Sequence, residues 1–310
     1  MARSKKLRIA IVGAGKVGSV LGKIFVQHGH TVTAVISRSV GSARAAGRFL
    51  RSPIASTALR DIPPGTAVVF IATPHDAIAD VARGISRLDH LDFRSLAACH
   101  TSGIYSASVL DPLREKGATV FSFHPLQTFP RSFSPVRIVP HARGIFYGVD
   151  GPPSGVRMAR LLARELGGNV IIIPPEKRVL YHAACVVASN HLTTVLWIVE
   201  QIFRRVRGDR AKVYEVFKPI VEATLSNIAL SSTGEALSGP IARGGVETVA
   251  RHFESLREFM PELLPYFVEM SLETLRIAET KRSMDRGTAD AMRHLIVSYS
   301  PSPSTPQETP

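Results

Sequence analysis

The chain has 310 residues, 45% of them hydrophobic, and its 38 Lys+Arg against 25 Asp+Glu give a net charge of +13. That length and apolar content allow two ordinary domains and exclude a disordered or fibrous chain for the bulk of it. Two cysteines, Cys99 and Cys185, exclude a disulfide scaffold and a four-cysteine zinc site, and they suit a reducing, cytoplasmic setting.

Arg3, Lys5, Lys6 and Arg8 ahead of an apolar run imitate a secretion leader. Lys16 interrupts that run, however, and Gly13, Gly15 and Gly18 mark a strand, a turn and a helix instead. Residues 7–12 (LRIAIV) read as a strand, a helix-period segment runs to Gln27, and 31–37 (TVTAVIS) completes a βαβ unit. Short apolar strands follow at 66–72, 95–99 and 118–123, with helical spacing between them at 76–85 and 106–116. Such alternation predicts an α/β fold with a parallel, doubly wound Rossmann sheet. Residues 144–149 and 169–173 read as two more strands of the same sheet, flanking a helix that Pro152-Pro153-Ser154 starts and Gly167-Gly168 stops.

After Pro174-Pro175 only helices are expected, over 176–207, 210–229, 245–258, 261–281 and about 288–297. The expected domains are 1–174, an α/β unit, and 175–297, all-α. The Ser/Pro-rich end, 298–310, reads as a disordered tail. In the first long helix, Ala183 to Val199 approaches the shortest membrane span, but Ser189, Asn190 and His191 sit at its centre. A buried helix of a soluble protein is therefore expected there. Basic residues scatter from Arg3 to Arg293, with Arg204, Arg205 and Arg207 a short cluster. Without a basic stripe or a recognition motif, the charge points to small anions rather than nucleic acid.

Gly13-Ala14-Gly15-Lys16-Val17-Gly18 matches G-x-G-x-x-G directly after a strand and at the opening of a helix. The first glycine allows the tight turn, the second lets backbone approach a pyrophosphate, and the third lets helix and strand pack. At the end of the second strand an NAD site places a carboxylate, but here Ser37-Arg38-Ser39 stands there. An Arg flanked by hydroxyls suits a 2′-phosphate, so NADP is expected over NAD. Ala72-Thr73-Pro74, after the strand at 66–72, falls at the carboxyl edge and is expected to line the nicotinamide ribose. His75 reads as a first-turn helix residue.

Two loops leave strands at the same edge, His100-Thr101-Ser102-Gly103 and His124-Pro125-Leu126-Gln127-Thr128-Phe129. Hydride exchange with a carbonyl or alcohol carbon needs a group that moves a proton on oxygen, and His suits that near neutral pH. Pro125 fixes the backbone beside His124, whereas His100 is free to point either way; the alternative for both is a structural His at a strand end. On the long helix, His182, Ser189 and Asn190 lie about two turns apart and share a face, directed either to the cofactor cleft or to a helix–helix contact. Leu237 to Gly245 breaks two helices and sets Arg243, with Gly239 and Pro240, before a helix N-terminus: an anion pocket in outline, or an ordinary turn. No His/Cys/Asp/Glu cluster has metal-ligand spacing, and no nucleophile elbow or P-loop occurs.

Taken together, Gly13–Gly18, His100–Gly103, His124–Phe129, Tyr181–Asn190 and Gly239–Gly244 resemble the Rossmann-like proteins that carry a C-terminal domain of unknown function 2520, over about residues 7–297. The resemblance implies a nucleotide-binding domain, a helical domain that often dimerises, and oxidoreductase activity. More distantly the layout is similar to the pyrroline-5-carboxylate reductase, 6-phosphogluconate dehydrogenase, ketopantoate reductase and prephenate dehydrogenase group. Ketopantoate reductases place Lys four residues before the helix Asn; Asn190 matches, but Val186 stands at the Lys position. Prephenate dehydrogenases use a His-Pro loop and a strand-end Ser, similar to His124 and Ser102.

These readings converge on an NADP-dependent cytoplasmic oxidoreductase of a small 2-oxo or hydroxy acid, ketopantoate being the leading candidate. His124 or His182 handles the proton, Ser102 and Asn190 orient the oxygen, and Arg243, Gly239, Pro240 and Thr101 contact the substrate. A homodimer through the helical domain is expected, with neither membrane nor nucleic acid as partner. The alternative, kept open by Val186, is an NADP(H)-binding sensor without turnover.

Overall fold

The computed structural model describes residues 6–208, 212–281 and 284–300; the expected tail beyond Ser300 lies outside them. Near-continuous apolar runs are what a parallel strand buried on both faces requires. β1 (Arg8–Val12), β2 (Thr31–Ile36), β3 (Ile54–Ser56), β4 (Val68–Ile71), β5 (Ala97–His100) and β6 (Thr119–Ser122) form a parallel sheet ordered β3-β2-β1-β4-β5-β6. β1 pairs on one side with β2 and on the other with β4, where Ile9 faces Val68 and Val12 faces Ile71. β3 escapes sequence reading because three residues carry no measurable alternation.

α1 (Lys16–Gln27) and α2 (Val40–Leu50) follow β1 and β2, and α3 (Ile78–Ser86) follows β4. One sheet face packs Ile9, Ile11, Phe70 and Phe121 against α1 and α4 (Pro153–Glu165), and the other packs Val12, Ile71 and Val120 against α3. The glycine loop, the end of β4 and the ends of β5 and β6 thereby share one rim, where open α/β sheets bind ligands.

The two later strands do not extend this sheet. β7 (His124–Pro125), β8 (Phe146–Val149) and β9 (Asn169–Ile172) form a separate three-stranded sheet in which β7 is antiparallel to β8 and β8 parallel to β9. The cause lies at the edge of β6. A Cβ on Gly155 would stand 2.5 Å from the Val120 carbonyl oxygen, so α4 crowds this edge. β8 reaches β6 at its end, where Ser122 N–H donates to the Asp150 carbonyl at 2.9 Å.

Packing divides the chain after His191, later than the change from strands to helices near Pro174. α5 (Arg178–Val186) therefore belongs with the sheets, and a π-helical turn, Val187–His191, follows it. The second unit contains α6 (Leu192–Arg207), α7 (Val213–Leu230), α8 (Val246–Phe259), α9 (Leu264–Thr280) and α10 (Arg286–Ser298). Its core is Val249, Phe253, Val268, Leu275, Met292 and Ile296, all from the last three of these helices.

The apolar helical run does not form the buried helix expected. Pro175–Arg207 is long and apolar enough to cross a membrane by length and composition alone, and only 6% of its most apolar stretch is buried within the chain. Val179, Leu180, Val187, Leu192, Trp197 and Val206 are exposed. The physical reason is that the core of the second unit closes without α6 and α7, which bury only Ile198 and Val213.

Candidate functional site: a nucleotide cradle beside a histidine cluster

Gly13 turns the chain at φ +113°, and its N–H donates to the Ile36 carbonyl at 2.8 Å. A Cβ there would lie 2.4 Å from the Ala72 carbonyl oxygen, so only glycine lets the loop cross the end of β4. Gly18 is equally constrained, its missing Cβ falling 2.4 Å from the Gly13 carbonyl oxygen, whereas a Cβ on Gly15 would meet nothing within 4 Å. Gly15 thus opens onto a cavity of about 420 Å³ lined also by Gly13, Ala14, Ser37, Arg38, Thr73 and Pro74. The first turn of α1, whose N–H groups lack intrahelical partners, starts at this loop.

The Thr73 hydroxyl is buried without a hydrogen-bond partner, an orphan that a bound polar ligand would satisfy. An open glycine position, a helix N-terminus and that unspent hydroxyl together fit a dinucleotide. Lys16, Val17 and Ser39 do not line the cavity: the first two open α1, and the Ser39 hydroxyl caps α2, accepting from Ser42 N–H at 3.2 Å. Ser42 and Thr57 line it without a sequence signal, Thr57 because it follows the unreadable β3.

Pro74 lines the cavity, and the next residue, His75, belongs to a second group of side chains. The Ser102 hydroxyl accepts from the N–H groups of Ile104 (3.3 Å) and Tyr105 (3.2 Å), so its own proton points to His75 Nδ1, 2.8 Å away. His124 Nδ1 shares a 2.8 Å hydrogen bond with the Tyr181 hydroxyl. Ring centroids of His182 lie 5.9 Å from His124 and 6.5 Å from His75. Gly103 passes between them; a Cβ there would stand 2.4 Å from His182 Cδ2 and 3.0 Å from His124 Nε2.

His100 takes the structural alternative. It is fully buried, its Nδ1 accepts from Ser102 N–H at 3.2 Å, and its Nε2–H donates to the Ser106 carbonyl at 3.0 Å. Burial, more than any neighbour, lowers its pKa to about 4. Burial also leads in lowering His124 to about 3, with the His182, Arg178, His75 and His100 charges adding to it. His182 is lowered too, by burial first and then by His75 and Arg178, and burial raises the Tyr181 phenol. The cluster therefore holds neutral imidazoles near pH 7 at His100 and His124.

Of the other expected residues, Thr101 extends the β4–β5 ladder, its N–H donating to the Ile71 carbonyl at 3.1 Å. Asn190 is exposed on the π-helical turn, and that turn breaks the 3.6-residue spacing that had aligned it with His182. In the second unit, Gly239 (φ +104°) and Gly244 (φ +70°) bracket a tight turn that leaves Arg243 exposed ahead of α8. Among the described residues, no group of three or more His, Cys, Asp or Glu is arranged to hold a metal ion. Tyr181 opens one of the segments that carry the family resemblance and His75 directly follows the Ala72–Pro74 loop, whereas Arg178 carried no sequence signal.

The family model of the Rossmann-like domain matches residues 1–125, and that of the domain of unknown function DUF2520 matches residues 145–274. No curated protein matches the sequence. Among solved structures, the chain is similar to protein TM1727 from Thermotoga maritima, at 22% identity over 88% of this chain and 99% of that one, with a TM-score of 0.69. It is similar to BF3122 from Bacteroides fragilis, a candidate NADP oxidoreductase, at 18% identity over 93% and 98%, with a TM-score of 0.65. It is also similar to an imine reductase variant from Myxococcus stipitatus in complex with NAD+, at 16% identity over 95% and 94%, with a TM-score of 0.54. The chain thus carries a Rossmann-like domain followed by a DUF2520 domain.

Proposed function

We propose that the protein is a nicotinamide-dependent oxidoreductase that prefers NADP and reduces a small 2-oxo acid, ketopantoate being the leading candidate. The observation that carries this reading is the adjacency of Pro74, in the wall of the nucleotide cavity, to His75, in a cluster of His, Ser and Tyr side chains on the same sheet rim. The names of similar folds, a candidate NADP oxidoreductase and an imine reductase holding NAD+, support a nicotinamide cofactor.

The loop from Gly13 to Gly18 and the first turn of α1 would hold the pyrophosphate, and Ser37 and Arg38 the 2′-phosphate. The bound cofactor supplies the hydride. Tyr181 O–H donates to His124 Nδ1, which leaves His124 Nε2–H to hold the substrate oxygen beside Gly103 as a neutral donor. His182, less buried than His124, delivers the proton that the new alcohol requires. Ser102 orients His75.

The exposed apolar faces of α6 and α7, including Trp197, Ile220 and Leu225, are proposed to be covered by a second copy of the chain in a cytoplasmic homodimer. Light scattering checks that assignment independently of activity. The activity is tested by following nicotinamide fluorescence on titration with NADPH and NADH, then nicotinamide absorbance with a panel of 2-oxo acids. Oxidation of NADPH by one acid supports the reading; binding without turnover across the panel overturns it.

A further inference from the structure

Arg178 lies among the largest fully buried side chains, 0% exposed, beneath the histidine cluster rather than within it. Its Nη1 donates to Ser122 Oγ and to Asp150 Oδ1, both at 2.8 Å, and its Nη2 donates to the Ser102 carbonyl at 2.9 Å. Asp150 is itself buried; Oδ2 accepts Ala107 N–H at 2.7 Å, and Oδ1 also accepts the Ser122 hydroxyl proton. One guanidinium thus joins α5, the ends of β6 and β8, and the loop that leaves β5. Burying such a pair is poor value for stability alone, because well-packed apolar groups usually serve as well.

What the pair does hold is Ser102. Its N–H rests on His100, its carbonyl on Arg178, and its hydroxyl on His75 and the turn at Ile104 and Tyr105. Every polar group of that residue is anchored, and the carbonyl anchor is Arg178. The same side chain stands three and four residues before Tyr181 and His182, hence on the same face of α5. Fixing the guanidinium fixes which way that face presents Tyr181 to His124 and His182 to Gly103.

We propose that Arg178, braced by Asp150, is a positioning residue that sets the Ser102–His75 and Tyr181–His124 hydrogen bonds of the reaction site, a role that rests on assigning the reaction to the histidine cluster. It acts by geometry through the Ser102 carbonyl and through the turn of α5. It also acts by charge, as the cation facing His124 and His182 alongside His75, His100, Tyr181 and its partner Asp150.

Arg178→Lys keeps the charge and loses the fork; the double variant Arg178→Met, Asp150→Leu removes the pair without stranding an ion, and serves if the single variant fails to fold. NADPH affinity within about twofold of the parent verifies the fold, since the glycine loop makes none of these bonds. Imidazole NMR then reads the proposal without any substrate. The expected result is loss of the Ser102 hydrogen bond at His75 Nδ1 in both variants, and an upward shift of the His124 and His182 titrations in the double variant. Where an acid substrate is known, kcat should fall at least about tenfold with little change in KM. A folded, nucleotide-binding variant whose His75 signal, His titrations and kcat all match the parent overturns the proposal. Absence of turnover in the parent overturns the oxidoreductase reading instead, and leaves the NMR result to decide for Arg178.

Discussion

The nucleotide cradle between Gly13 and Pro74 is built largely of backbone, with glycines placed where a Cβ would collide or would fill the cavity. The histidine cluster around Gly103 is built instead of side chains that arrive from distant segments and orient one another by hydrogen bonds. The first presents N–H groups whose polarity does not depend on pH. The second includes the imidazoles of His100, His124 and His182 and the Tyr181 phenol, whose pKa values are shifted chiefly by burial. One rim of a single sheet thus carries a surface insensitive to titration next to a group of side chains governed by it, and substitutions should perturb either half without disturbing the other.

The largest separation of the two is expected from His124→Asn, which should lower kcat by roughly 10²–10³-fold while leaving the NADPH Kd within about twofold. Stopped-flow turnover and fluorescence titration on the same sample check both parts, and a matching loss of nucleotide affinity would break the distinction. Asp150→Ala strands the buried Arg178 cation and should cost about 3–5 kcal/mol of stability in chemical denaturation. An unchanged midpoint would show that the ion pair is not a structural element of the cluster.

Acid should unfold the cluster before it disturbs the cradle. His100 is neutral in the fold with its pKa lowered to about 4, so the unfolded chain binds the proton more readily once the pH drops below about 6.5. Stability contributed by this residue is complete above that pH and is lost as pH falls toward about 4, on the order of 3 kcal/mol in all. Denaturation midpoints measured across that window should slope downward with acid, and His100→Gln should flatten the slope.

Effects confined to the cradle are smaller. Gly15→Val fills space where a Cβ meets nothing, so the protein should fold normally yet bind NADPH on the order of tenfold to hundredfold more weakly. Arg38→Ala should weaken NADPH by about tenfold and NADH hardly at all. Equal losses for the two nucleotides would remove Arg38 from the 2′-phosphate.

The same contrast explains what could be read from the sequence. The cradle was legible because G-x-G-x-x-G, the Ser37-Arg38 pair and the apolar strands are local patterns with local causes. β3 and β7 span only three and two residues, too few for periodicity to register. Residues 144–149 and 169–173 do read as strands, but their separate sheet depends on how α4 and Asp150 meet the edge of β6, a contact with no pattern along the chain. Arg178 looks like a surface charge beside Lys177, because its partners lie 28, 56 and 76 residues away. His75 was legible only as a helix-start residue, since its hydrogen bond reaches 27 residues forward to Ser102. Asn190 was misaligned with His182 because a π-helical turn cannot be distinguished from an α-helical one by apolar spacing.

The central claim, that a hydride leaves a nicotinamide in the cradle for a carbonyl carbon held by the cluster, is tested most directly with NADPH carrying deuterium at the transferable nicotinamide position. The purified protein would be incubated with this cofactor and a mixture of small 2-oxo acids, and the acids analysed by mass spectrometry. The account predicts that one acid becomes a hydroxy acid bearing carbon-bound deuterium, and that His124→Asn abolishes the label. Full retention of deuterium in the nicotinamide, with NADPH tightly bound and every acid unchanged, would contradict it.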